Sequence, residues 1–204
     1  EQFSREWLQL YPNAKILTAS SQDVTRDRRR AFVARAAANE WDAIIMTHSA
    51  FERVPLRVDT EREYRDRQLD GLRAALEGAD KDDRISVKRM QRALTMAEER
   101  LKKLADKPRD SGINFEDTGI DYVVVDEAHL FKNLATPSNI RDAAITGSER
   151  ASDLHMKLEY LRSTGRKRIV TAATATPISN SITEAYVMQR YLRPDLFYAA
   201  GIGE

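Results

Sequence analysis

The chain has 204 residues, with 33 Lys and Arg against 32 Asp and Glu, so overall charge points to no particular partner and any nucleic-acid surface must be a local patch. The absence of cysteine excludes disulfides, thiolate metal sites and cysteine nucleophiles, and suits a reducing cytoplasm. No apolar run approaches the roughly 20 residues that cross a bilayer and no signal peptide is visible, which leaves one full domain, or one domain with an insertion.

The first strand-like run is 14-AKILTAS-20. After it, Phe32, Val33, Ala36 and Ala37 place an apolar face on a helix of about three turns. The second run is 42-DAIIMTHS-49, and then the rhythm breaks. From about Arg57 to Pro108 the chain is highly charged and carries no strand signal. Leu69, Leu72, Leu76 and Ala79 are spaced 3, 4, 3, and Val87, Met90, Leu94, Ala97, Leu101 and Leu104 are spaced 3, 4, 3, 4, 3. Two narrow heptad seams joined by 78-GADKDD-83 predict an antiparallel helical hairpin, a protruding arm inserted at 57–108 between segments 1–56 and 109–204 of the main domain. Its second arm holds Arg84, Lys88, Arg89, Arg92, Arg100, Lys102 and Lys103 against Glu98 and Glu99. A solvated helix face explains that run. So does a basic arm lying along nucleic-acid phosphates, or a docking arm for another part of the protein.

The third run, 121-DYVVVDE-127, puts Tyr122 and three β-branched valines directly before two acids. It reads as a central parallel strand buried on both faces. Asp126, Glu127 and His129 then sit where the strand leaves the sheet, the edge at which ligands bind in open α/β sheets. Leu154, Leu158 and Leu161 mark the next helix, Gly165 the turn, and 168-RIVTAAT-174 the fourth run. Ile182, Ala185, Met188 and Leu192 give a last helix, which Pro194 stops. Strands alternating with helices predict an α/β fold with a mostly parallel sheet. His155 reads as structural or exposed, and Trp7 and Trp41 as core or boundary aromatics.

The segment 121-DYVVVDEAHLFKN-133, followed about 45 residues later by 174-TATPISN-180, resembles the superfamily-two helicases and translocases. Within them the Swi/Snf-like branch matches best, through the Lys132–Asn133 pair after D-E-A-H and Asn180 after T-A-T-P. The runs 14-AKILTAS-20 and 44-IIMTHSAF-51 resemble motifs Ia and Ib/Ic of the same families. More narrowly, 179-SNSITEAYVMQRYLRP-194 is similar to the large helicases of phages and mobile elements, often joined to an adenine-specific DNA methylase domain. This resemblance implies a RecA-like lobe that binds ATP and Mg²⁺ and moves on DNA, duplex DNA being the expected form. Asp126 would hold Mg²⁺ through water, and Glu127 would orient the attacking water. His129, Thr174 and Thr176 would link nucleotide state to DNA state.

Thr18, Ser20, Thr47, His48 and Ser49 would meet DNA phosphates on the same reading. Equally, Ser and Thr after strands are ordinary turn and cap residues. Lys132 also reads as a surface lysine, and Asn133 as a turn cap.

Two departures qualify the resemblance. The family glycine in T-G-T-P is Ala175 here, whose methyl group discourages positive φ. Nothing matches G-x-x-x-x-G-K-[ST], so the amide cradle for phosphates is missing from these residues. The expectation is that the cradle lies before Glu1, and the second RecA-like lobe with its arginine finger after Glu204. On that reading the parent protein is an ATPase and these residues alone are inactive. Two other functions fit the sequence: a non-catalytic module whose hairpin binds a partner, and a Mg²⁺-dependent NTPase unrelated to nucleic acid.

Overall fold

The computed structural model describes residues 2–78, 84–105, 114–136, 147–179 and 181–202. They divide into two compact units, Glu1–Arg57 with Arg109–Ile120, and Val58–Pro108 with Asp121–Glu204.

In the first unit, α1 (Gln2–Leu10) precedes β1 (Ile16–Ala19), α2 (Arg29–Ala37), β2 (Ala43–Met46) and α3 (His48–Glu52). The two strands pair in parallel from Ile16↔Ala43 to Ala19↔Met46. Leu17 and Ala19 point inward while Thr18 is exposed, the period-2 alternation of a strand with one face covered. Helix α2 turns Phe32, Val33 and Ala36 inward, as the spacing predicts, and leaves Ala37 exposed. A 3₁₀ turn at Phe115–Thr118 returns to this unit. Phe115 donates its N–H to the Pro55 carbonyl at 2.8 Å and meets the Phe51 ring edge-on, 5.8 Å between centroids. The Asn114 N–H bonded to Asp117, with Arg57 beside it, holds the Asp117 carboxyl below the usual carboxylate range.

The second unit contains α4 (Val58–Glu77), α5 (Arg84–Ala105), β3 (Val123–Val125), a 3₁₀ turn at Ala128–Phe131, α6 (Glu149–Ser163), β4 (Val170–Ala172), α7 (Ile182–Leu192) and α8 (Pro194–Ala199). Strands β3 and β4 are also parallel, from Val123↔Val170 to Val125↔Ala172. The expected α/β class with parallel pairing therefore holds, as one strand pair in each unit. Leu154, Leu158, Leu161, Ile169, Val187 and Tyr191 build the core behind β3 and β4.

One expectation for β3 fails: the strand is not buried on both faces. Val125 is 6% exposed, but Val124 is 64% exposed. A run of valines fits a pleated surface whether one face or both are covered, so composition did not distinguish the cases. Helix α7 also turns differently from its apolar spacing. Ile182 and Leu192 are exposed, and the inward face is Glu184, Val187, Met188 and Tyr191. Pro194 does more than stop α7. It opens α8 at its first position, where a missing N–H costs nothing.

The hairpin seams face inward. Leu69, Met90 and Leu104 are buried, while Lys88, Arg92, Lys102 and Lys103 are exposed. Ala79, the 79–83 connection and the side chains of Arg84 and Arg89 lie outside the described residues. The base of α4 is built into the unit's core, which the expected protruding arm did not anticipate. Buried Tyr64 places its hydroxyl 2.8 Å from Nδ1 of His155 on α6, and Gln68 donates to that same hydroxyl at 3.0 Å. Arg100, from the basic run, is 3.0 Å from Glu149 of α6. No helix among the described residues is long and apolar enough to cross a membrane.

Candidate functional site

The chain leaves β3 through a single strained residue. Glu127 has φ 50° and ψ 45°, the one non-glycine among the described residues with positive φ. Left-handed backbone at a non-glycine residue costs on the order of 1–3 kcal/mol, and such outliers concentrate at functional sites. The turn leaves Asp126 and Glu127 exposed at the carboxyl end of the strand. It also aims the Ala128 N–H back at the Ala173 carbonyl, 2.9 Å away, while Ala173 N–H bonds to Val125 O at 2.8 Å. The ends of β3 and β4 are stitched together immediately below the two acids.

That stitching brings His129 to the loop after β4. Its Nδ1 lies 3.0 Å from Glu127 Oε2 and 3.4 Å from Thr174 Oγ1. Thr174 Oγ1 in turn accepts the Thr176 N–H at 3.2 Å. Glu127, His129, Thr174 and Thr176 thus form one local cluster, with Asp126 adjacent. Ala175 does not have positive φ, so its methyl group fits the turn as built. Asn180 lies outside the described residues.

A second layer ties the same two loops from below. Lys132 is 5% exposed, and its Nζ is 3.2 Å from Glu184 Oε2 and 2.8 Å from Ser179 Oγ. The surface-lysine reading is therefore wrong. Glu184, 7% exposed, also accepts the Ser179 N–H at 2.6 Å through the same oxygen. Removing one partner of a buried ion pair typically costs about 3–5 kcal/mol, because the other charge stays buried. The stretch 181-SITE-184 has the S-x-x-E spacing of a helix capping box. Ser181 does cap, accepting the Thr183 N–H at 3.2 Å. The Glu184 carboxylate reaches instead to Ser179 and Lys132, a tertiary contact that no local spacing signals.

Three more contacts hold the strip after D-E-A-H. Tyr191 donates its hydroxyl proton between the Phe131 carbonyl at 2.9 Å and the Ala151 carbonyl at 3.1 Å. Arg190 Nη1 donates to the Ala135 carbonyl at 3.2 Å. The Ser148 N–H donates to the Asn133 carbonyl at 2.7 Å. Gly147, at φ 88°, permits this last contact, since a Cβ there would lie 2.7 Å from the Ala135 Cβ.

The candidate nucleic-acid residues all belong to the first unit. Ser20 and Thr47 follow the paired ends of β1 and β2, and Thr47 N–H bonds to Ala19 O at 3.2 Å. Ser20 donates its hydroxyl to Asp23 at 2.7 Å, and Thr47 caps α3 by accepting the Ala50 N–H at 3.2 Å. His48 and Ser49 form the first turn of that helix, not a loop. Thr18 is exposed on β1.

A family model described as a probable helicase domain matches residues 1–203. The chain is 27% identical over 170 residues to the Defense against restriction protein B of Escherichia phage P1. That match takes in 78% of this chain but 7% of the phage protein, so the chain spans a small fraction of that relative's length. No solved structure matches the chain.

Proposed function

Because the chain belongs to the family of probable helicase domains, we propose that it is part of the ATP-binding, RecA-like lobe of an ATP-dependent DNA helicase or translocase. The observation that carries this reading is the His129 contact with both Glu127 and Thr174, on the segments ending β3 and β4. A machine that couples hydrolysis to movement needs a contact whose state changes with the nucleotide, and the two contacts of His129 support that role for it. The likeness to a phage protein supports a phage or mobile-element setting. Duplex DNA, a second RecA-like lobe and a methylase domain complete the proposed context.

The residues fit Mg²⁺ as a nucleotide-borne ion. Asp126 is an exposed hard-oxygen donor, and no group of three His, Asp or Glu side chains among the described residues forms a metal cage. Mg²⁺ characteristically takes one or two carboxylates and completes its shell with water and substrate phosphates. Asp126 would hold it, and the ion would supply charge neutralisation at the β- and γ-phosphates. Glu127 orients water for in-line attack. His129 holds the Glu127 carboxylate in place and links it to Thr174.

Movement is the property to test. On a duplex carrying a triplex-forming third strand, the full-length protein should displace that strand with ATP and not with a non-hydrolysable analogue. Active hydrolysis with no displacement, at a rate indifferent to added DNA, would favour an NTPase with other work to do.

A further inference from the structure

Helix α7 sits where the two loops of the site meet, and one oxygen atom joins them. Glu184 Oε2 accepts Lys132 Nζ from the strip after D-E-A-H and the Ser179 N–H from the loop after T-A-T-P. Two further α7 residues, Arg190 and Tyr191, hold the carbonyls of Ala135 and Phe131. Lys132 and Glu184 are both almost fully buried, so water does not screen their interaction. The spacing of apolar residues on α7 would have turned Ile182 inward, yet the helix exposes Ile182 and buries Glu184. The face that α7 buries combines Glu184 with Val187, Met188 and Tyr191.

We propose that Lys132 and Glu184 are positioning residues that set the Thr174–Thr176 turn against Asp126, Glu127 and His129, so that the two loops move as one body. The inference rests on the helicase reading. Neither side chain touches nucleotide or water in the reaction. Their effect is to fix the separation between His129 Nδ1 and Thr174 Oγ1, which is 3.4 Å. A displacement of about 1 Å at such a contact can cost on the order of a hundredfold in rate.

A single truncation would leave one charge buried, so the decisive variant removes both. Lys132→Met with Glu184→Leu replaces the pair by apolar groups of similar volume, a change that is often neutral or stabilising. In the full-length protein this double variant should keep its thermal midpoint. Its kcat for DNA-stimulated ATP hydrolysis should fall at least about tenfold, with the KM for ATP within about twofold. Amide exchange across residues 172–179 should accelerate. A folded double variant with wild-type kcat and unchanged exchange in 172–179 would overturn the inference while leaving the helicase reading intact. A wild-type protein with no ATP hydrolysis at all would overturn both.

Discussion

Glu127→Gln in the full-length protein should lower ATP hydrolysis by at least about a hundredfold, the lower end of what general-base assistance typically contributes. ATP affinity should stay within about twofold, because the role proposed for Glu127 lies in orienting water and not in binding nucleotide. The reason lies in the turn. Glu127 adopts left-handed backbone at the end of β3, leaving its side chain exposed. Glutamine keeps the length, the shape and an oxygen that can still accept from His129. It lacks the second anionic oxygen that would orient and polarise water. Exposure also predicts that the thermal midpoint is unchanged, so lost turnover cannot be attributed to unfolding. Rates measured with saturating ATP and DNA, beside equilibrium nucleotide binding, check both halves. Wild-type turnover in Glu127→Gln would remove Glu127 from the chemistry.

The second large effect is on stability against pH. His155 is 2% exposed, sits beside Tyr64 and Tyr191, and has Nε2 buried without a hydrogen-bond partner among the described residues. Burial, reinforced by the positive charges of Arg190, Arg162 and Arg67, holds its pKa well below the ordinary histidine value. In the unfolded chain that pKa returns to about 6.5. Below that value the unfolded state binds a proton that the folded state refuses, so the neutral imidazole's contribution is complete above about pH 6.5 and is lost as pH falls toward the folded-state pKa. One such group gives a slope of up to about 1.4 kcal/mol per pH unit. Denaturant unfolding followed from pH 7.5 to 5 should show stability level at first and then falling below about pH 6.5 with a slope that approaches this value, and His155→Gln should flatten the fall. The window stays above most carboxylate titrations, and His48 and His129 are common to both proteins. Identical slopes in the two proteins would show that His155 accepts its proton without penalty. The softening should reach the site, because Tyr191, packed on His155, carries the bond to Phe131 O.

How much of this was legible follows the range of the signal. Short apolar runs located the four strands, because such runs suit a pleated sheet, and heptad spacing located the hairpin seams, because it reflects which face each side chain turns to. The D-E-A-H and T-A-T-P stretches marked the loops that the fold brings together, and the Glu127–His129–Thr174 cluster is built from residues to which the helicase resemblance pointed. What failed was tertiary. Valine's preference for strands does not say how many faces are covered, so Val124 was misjudged. Lys132 and Glu184 lie 52 positions apart and look like surface charges until the fold pairs them. His155 was left between structural and exposed because its partner, Tyr64, lies 91 positions earlier, on a hairpin expected to stand apart. Thr47 and Ser20 satisfied either a cap or a phosphate contact, and local spacing cannot separate those roles.

The most direct test of the central claim, that the turn after β3 is where nucleotide is handled, is steady-state ATP hydrolysis by the full-length protein and its Asp126→Ala variant, with and without duplex DNA. The wild type should hydrolyse ATP in a Mg²⁺-dependent manner, faster when DNA is added, and Asp126→Ala should reduce both rates to background. Undiminished, DNA-stimulated hydrolysis in Asp126→Ala would contradict the account, because the carboxylate at that strand end would then have no part in the reaction.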